Sequence, residues 1–130
     1  MRILALDPGE KKVGLALSDP TGTLATPLAV WPREEDFWEK LAALIAEKKV
    51  EKIAVGVPRG LRGETEQTRA GREFLEEVER KSQLPVVAVE EFFSTKEALA
   101  RRLSLSKSRR RKPEDAEAAA ILLESFLEKN

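Results

Sequence analysis

The sequence predicts one α/β domain over residues 1–130, with a five-stranded mixed sheet and helices on both faces. Three observations indicate this class. Apolar segments joined by short turns fill residues 2–30, and segments of helical periodicity then alternate with short apolar runs. The chain is also long enough to bury one proper core. The predicted order of elements is βββαβαβαα.

The first three strands are predicted at Arg2–Leu6, Val13–Ser18 and Leu24–Val30. Turns as short as those between them join antiparallel neighbours, so these strands should form a β-meander. The first strand contains an unbroken apolar run, which is typical of a strand buried on both faces.

The middle of the chain alternates helix and strand. Helical spacing over residues 34–49 precedes the apolar run Ile53–Val57, which has the character of a central parallel strand. A charged helix over residues 66–81 precedes another apolar strand, Pro85–Val89. The residues expected on the inward faces are Phe37, Trp38, Leu41, Leu44, Ile45 and Lys48 on the first helix, and Ala70, Phe74, Leu75 and Val78 on the second.

Two further helices are predicted towards the end of the sequence. Ser94 or Thr95 can cap the first, and residues 104–112 should then form a mobile basic loop. Pro113 suits the first turn of a final helix over Glu114–Glu128. The first of these helices carries Ala98, Leu99 and Leu103, and the final one should turn Ala118, Ile121, Leu122, Ser125 and Phe126 towards the sheet.

The order of elements also predicts the topology. A meander followed by right-handed crossovers makes the first strand central, beside Ile53–Val57, with Pro85–Val89 beyond. These three strands are then parallel, and their carboxyl ends open on one edge of the sheet, where open α/β sheets bind ligands.

Composition excludes several kinds of chemistry. The chain has no Cys, His or Tyr, which rules out disulfides, thiol nucleophiles, Ser-His-Asp triads and the usual zinc sites. A metal ion would have to be a hard cation held by oxygen, such as Mg²⁺ or Mn²⁺. Proton transfer would depend on carboxylates, Lys or water activated by such a metal.

No apolar run approaches the roughly 20 residues that span a bilayer, and a strand is predicted from the first residues, which leaves no room for a signal peptide. We therefore expect a cytoplasmic protein without a membrane partner.

The charge is unevenly distributed along the chain. The 23 basic and 23 acidic residues cancel overall, but the segment 101–112 holds seven bases and no acid. Such a run is usually a solvated surface, yet its position just before Asp115 favours contact with nucleic acid. The loop after Ile53–Val57 carries Arg59 and Arg62, each followed directly by a glycine, and it is either a simple connection or a phosphate-binding loop.

Three acidic residues are candidates for a common site. Asp7 follows the first strand, Glu91 follows the strand Pro85–Val89, and Asp115 begins the last helix. By itself Asp-Pro-Gly is more often a turn, so the case for a site depends on the rest of the chain. Asp19, before Pro20, is interpreted as a turn residue.

Four segments in order resemble the motifs of one family. These are Leu6-Asp7-Pro8-Gly9 with Lys12-Val13-Gly14-Leu15-Ala16 and Ser18-Asp19; Val55-Gly56-Val57-Pro58 with Gly63 and Thr68; Glu91 with Ser94-Thr95; and Lys112 to Ile121. Over nearly its whole length the chain resembles the YqgF, or RuvX-like, group of the ribonuclease H-like superfamily. Members of this group are described as nucleases that mature the 5′ end of pre-16S ribosomal RNA or as Holliday junction resolvases.

The resemblance implies a ribonuclease H-like fold in which Asp7, Glu91 and Asp115 converge, bind Mg²⁺ or Mn²⁺ and act as the catalytic residues of an endonuclease. Arg59, Arg62, Arg109, Arg110, Arg111 and Lys112 are the candidates for binding the nucleic acid. Pre-rRNA is the favoured partner and branched DNA the alternative, with monomer and homodimer both open. Phe92 stands where the family has Arg, which keeps a non-catalytic ribosome-assembly factor as a second hypothesis. A sugar-kinase or ATPase relative is disfavoured because the chain has no room for a second nucleotide-binding domain.

Overall fold

The computed structural model describes residues 1–57, 66–90 and 115–129. They form one five-stranded sheet in the order β3-β2-β1-β4-β5. The strands are β1 (Ile3–Pro8), β2 (Lys12–Ser18), β3 (Ala25–Pro32), β4 (Lys52–Val57) and β5 (Val86–Glu90), and the helices are α1 (Phe37–Lys48), α2 (Glu66–Ser82) and α3 (Asp115–Lys129). The predicted helix around Leu99 lies outside the described residues.

The strand directions confirm the predicted topology. β2 runs antiparallel to both β1 and β3, as expected for a meander with short turns. β4 is parallel to β1 and to β5, so the carboxyl ends of these three strands share one edge of the sheet. We call this the carboxyl edge.

Helices cover both faces, as predicted. Leu4 and Leu6 belong to the core under α1 and α2, while Ile3 and Ala5 belong to the core under α3. This division follows from the period of two along a strand. β1 and β4 contribute buried residues to both cores, which confirms them as the central strands.

The two cores differ in the size of their side chains. Phe37, Leu41, Phe74 and Val78 of α1 and α2 pack against large residues of the sheet. α3 instead packs its alanines and Leu123 against small residues such as Ala5. Small residues on both sides allow the helix and the sheet to approach closely.

Some predicted inward positions were wrong. Ala70 is exposed and Gly71 is buried, so α2 packs against the sheet through a glycine. Ile121 and Ser125 are only half-buried, whereas Ala119 and Leu123 are completely buried. Residues 118–120 of α3 are three consecutive alanines. Because their hydropathy is identical, the sequence pattern does not indicate which of them lies on the buried face of the helix.

β3 is an outermost strand of the sheet and contains Pro27 and Pro32. Proline has no N–H to donate, and within sheets it is confined to edge strands, strand ends and bulges. The register with β2 shifts next to Pro27, between Leu15 and Ala16. In the parts of the chain that the structure describes, no helix is long and apolar enough to cross a membrane.

Candidate active site

Asp7 lies at the carboxyl edge, near the end of β1. Its cross-strand partner on β2 is Gly14. On the other side, the pairing of Leu6 with Val55 brings Gly56 of β4 alongside Asp7. Half-buried Asp7 is therefore flanked on both neighbouring strands by a residue without a side chain.

The turn after Asp7 leaves little room for a side chain at Gly9. The Gly9 N–H donates a hydrogen bond of 2.8 Å to the carbonyl of Lys12, which closes the connection between β1 and β2. A Cβ at Gly9 would lie 3.0 Å from that same carbonyl oxygen. Gly9 therefore serves the backbone geometry of this turn, where the chain approaches itself closely.

A cleft of about 500 Å³ opens at this edge, on the side of α2. Two acidic residues, Asp7 and Glu10, and one basic residue, Arg33, are among those that line its described walls. The remaining described residues that line it are Pro8, Gly9, Gly56, Val57, Ala70, Gly71 and Phe74. The cleft thus combines backbone, charged groups and an aromatic ring next to Asp7.

Arg33 is a cleft residue that the sequence analysis missed. Its guanidinium donates a 2.8 Å hydrogen bond from Nη1 to the carbonyl of Gly9 and lies 5.0 Å from the centre of the Phe74 ring. Its backbone N–H donates to the carbonyl of Lys11. Only the register of β2 with β3, which pairs Lys12 with Pro32, brings this residue to the cleft.

The aromatic residues behind the cleft belong to the core. Phe37 makes edge-on contacts with Trp31 and Trp38, at ring-centre distances of 6.0 and 5.0 Å. Phe74 packs against Phe37 and Trp38 at 6.2 and 5.8 Å. Both tryptophans are half-buried against this core, which agrees with the prediction that Trp38 faces inward.

Glu91 directly follows β5 but lies outside the described residues. The last residue of β5, Glu90, pairs with Val57 at the carboxyl edge. Val87 and Val89, which alternate along β5, pack against the core under α3. Ile3 and Ala5 of β1 belong to the same core, so the alternation of side chains along β1 puts Asp7 on that face of the sheet as well. The strand that leads to Glu91 therefore ends at the same edge as β1.

The backbone of Asp115 begins α3, while its side chain lies outside the described part. Near the other end of this helix, the Phe126 ring is 5.8 Å from the Lys52 ammonium, at the start of β4. α3 therefore ends at the edge opposite Asp7. Its 15 residues extend about 22 Å, which matches the roughly 20 Å of a six-residue strand. The start of α3 thus lies towards the carboxyl edge.

All of the predicted nucleic-acid contacts lie outside the described residues: Arg59, Arg62, Arg109, Arg110, Arg111 and Lys112. Within residues 1–57, 66–90 and 115–129, no three acidic side chains form a group able to hold a metal ion. Asp7 is the one proposed ligand whose side chain falls in these ranges. A carboxylate is an oxygen ligand of the kind that hard divalent cations prefer.

Asp19 is a turn residue, as its position before Pro20 predicted. Its carboxylate accepts hydrogen bonds from the backbone N–H groups of Leu24 and Thr23, at 2.9 and 2.7 Å, and from the hydroxyls of Thr21 and Thr23. These donors, the Leu24 N–H foremost, hold the pKa of Asp19 well below its ordinary value. The carboxylate thus closes the connection between β2 and β3.

Solved structures with the same fold define the class of protein. Thermus thermophilus RuvC superposes with a TM-score of 0.60 at 17% identity, covering 99% of this chain and 95% of that chain. The fowlpox virus resolvase, solved with Holliday junction DNA, gives 0.59 at 14% identity, with 99% and 98% coverage. The domain therefore has the ribonuclease H-like fold of RuvC.

Within this class, the family can be assigned from sequence. The RuvX family model, described as Holliday junction resolvase, matches residues 1–129, and the chain belongs to this family. A protein of Dictyoglomus thermophilum named "Putative pre-16S rRNA nuclease" is 39% identical, covering 98% of this chain and 96% of its own length. A protein of the same name from Sulfurihydrogenibium is 36% identical, with 98% and 90% coverage. The resemblance stated from the motifs is confirmed.

Proposed function

We propose that this chain is a divalent-metal-dependent endonuclease that acts on structured nucleic acid, with Asp7, Glu91 and Asp115 as the metal ligands. One observation carries the proposal: β1, which bears Asp7, and β5, which leads to Glu91, end at the same carboxyl edge of the sheet. The contact of Phe126 with Lys52 puts the end of α3 at the opposite edge, which supports a place for Asp115 near Asp7. Membership of a family whose relatives are named nucleases supports it.

The proposed ligands fit hard cations because the chain offers carboxylates but neither Cys nor His. Mg²⁺ or Mn²⁺ bound there would stabilise the attacking and the leaving oxygen of an in-line phosphodiester displacement, with water as the nucleophile. The protein's own part is to fix Asp7 at a rigid strand end. Gly14 and Gly56 on the two neighbouring strands add no side chain beside Asp7 that would obstruct a reacting phosphate.

The basic residues outside the described part complete the proposal. Arg59, Arg62, Arg109, Arg110, Arg111 and Lys112 would bind backbone phosphates and offset the repulsion between those phosphates and the acidic residues. Such contacts are largely independent of sequence and weaken as salt rises. They supply affinity, while the carboxylates supply the chemistry.

The favoured substrate is the 5′ end of pre-16S rRNA in the cytoplasm. The names of the relatives above, "Putative pre-16S rRNA nuclease", support pre-16S rRNA as the substrate. The description of the family model as Holliday junction resolvase favours branched DNA as the second candidate. Junction resolution requires two sites related by symmetry, so it predicts a homodimer, and sedimentation at working concentration separates the two candidates.

The test is cleavage of a labelled pre-16S rRNA fragment and a four-way DNA junction in Mg²⁺, Mn²⁺ or EDTA. The wild type should cleave one substrate only with metal, and Asp7→Asn should abolish cleavage. Asp36→Asn is the matched control, because exposed Asp36 precedes α1 without a capping hydrogen bond from its side chain. Binding of these substrates without cleavage in any metal would instead support the alternative hypothesis, suggested by Phe92, that the protein is a non-catalytic ribosome-assembly factor.

A further inference from the structure

We propose that Arg33 binds a non-scissile backbone phosphate of the nucleic acid in the cleft beside Asp7. This inference rests on the proposed function for the identity of the ligand as a nucleic acid. It gives Arg33, the residue that directly follows β3, a role in substrate binding.

Arg33 is held in place before any ligand arrives. The Gly9 carbonyl accepts one of its N–H groups at 2.8 Å, and the Phe74 ring lies 5.0 Å from the guanidinium carbon. Phe74 itself is 4% exposed and packs against Phe37 and Trp38, so the ring is held in place by the core. A cation positioned in this way loses little conformational entropy when it binds an anion.

The charge of Arg33 is available to a ligand. Within the ranges that the structure describes, its two side-chain contacts are with a carbonyl oxygen and an aromatic ring, and neither neutralises a positive charge. The side chain is also exposed to solvent. A guanidinium has five N–H donors in a planar fork that matches phosphate oxygens, so one bond to Gly9 leaves donor capacity for an anion.

The location of Arg33 connects this charge to the proposed chemistry. The carbonyl that Arg33 contacts belongs to Gly9, two residues after Asp7, and two residues of chain span at most roughly 7 Å. Arg33 and Asp7 also line the same cleft, together with Glu10. A strand whose reacting phosphate lies at Asp7 would therefore carry another phosphate past Arg33, where a cation offsets the two carboxylates.

The test measures binding in EDTA, so that it does not depend on cleavage. Fluorescence anisotropy of the labelled rRNA fragment, repeated over a series of salt concentrations, compares wild type with Arg33→Ala and Arg33→Lys. We expect Arg33→Ala to weaken binding about tenfold and to reduce the slope of log K against log salt by about 0.7–0.9, the loss of one phosphate contact. Arg33→Lys should keep the slope and lose part of the affinity.

Arg80→Ala is the matched control. Arg80 is an exposed arginine in the last turn of α2, six residues beyond Phe74, so its removal changes the net charge equally without touching the cleft. It should leave affinity and slope close to those of the wild type. An Arg33→Ala protein that melts like the wild type and keeps its salt slope would overturn the inference, as would equal effects of the two variants.

The outcomes remain separable from those of the proposed function. If Asp7→Asn cleaves as well as the wild type, the nuclease proposal fails while the binding result for Arg33 stands. If Asp7→Asn abolishes cleavage but Arg33→Ala binds normally, the nuclease stands and the phosphate contact is refuted. Absence of any binding by the wild type to the RNA fragment or the junction would also refute the contact.

Discussion

Ser18 is the buried polar residue that ties the end of β2 to the start of β1. Its hydroxyl oxygen accepts the Ile3 N–H at 2.8 Å, and its O–H donates to the Asp19 carbonyl at 3.0 Å. The side chain is 2% exposed, so water cannot readily replace it. Substitution by Ala therefore removes a partner from a buried backbone donor.

The expected loss follows from this geometry. An unsatisfied buried N–H costs about 1–3 kcal/mol, and the second hydrogen bond is partly accessible to water and contributes less. We expect Ser18→Ala to lower the free energy of unfolding by about 2 kcal/mol. For a domain of 130 residues, roughly 4 °C per kcal/mol gives a fall in Tm of about 8 °C.

Urea denaturation, followed by circular dichroism, measures this loss. Ser82→Ala is the graded control, because the Ser82 hydroxyl accepts the Leu84 N–H at 3.2 Å in a half-buried position that water can reach. That variant should lose less than about 1 kcal/mol. Equal effects of the two substitutions would show that the buried bond to Ile3 does not stabilise β1, and the reasoning would then be wrong.

Three further predictions concern the turns and the core under α3. Gly9→Ala should lower stability by about 1 kcal/mol and reduce cleavage, because its Cβ would crowd the Lys12 carbonyl; thermal melts and the nuclease assay measure both. Ala119→Leu should destabilise by about 1–3 kcal/mol in urea titrations, since it overpacks a fully buried position. Asp19→Ala should lower stability at neutral pH. Because folding lowers the pKa of Asp19 from 3.8, the stabilisation by its carboxylate is present above pH ~4 and disappears as pH falls below it. Melts at several pH values should therefore converge in acid, and a constant difference would contradict the assignment.

Much of the fold could be predicted because its signals are local or topological. The apolar runs of β1 and β4 identified the central strands, and the short turns dictated the meander. Boundaries were less accurate. α1 begins at Phe37 rather than Glu34, because the Phe37 N–H bonds the Glu34 carbonyl in a preceding turn, and this depends on how the chain leaves β3.

The site could be predicted only in part. Asp7 was found because a carboxylate after a buried strand is a local signal, and its place at the carboxyl edge is confirmed. Arg33 was missed because it reaches the cleft through strand register, which no local pattern reports. The roles of Asp7, Glu91 and Asp115 all stay predictions, supported by the shared edge at which β1 and β5 end.

The prolines of β3 constrain how two copies of this domain could associate. A dimer formed by joining outer strands into one continuous sheet needs an uninterrupted row of backbone donors along that border, and Pro27 and Pro32 interrupt it. A dimer that used β3 to bring two active sites to one branched substrate would therefore have to form through side-chain contacts. The same interruption guards the folded chain against edge-to-edge aggregation.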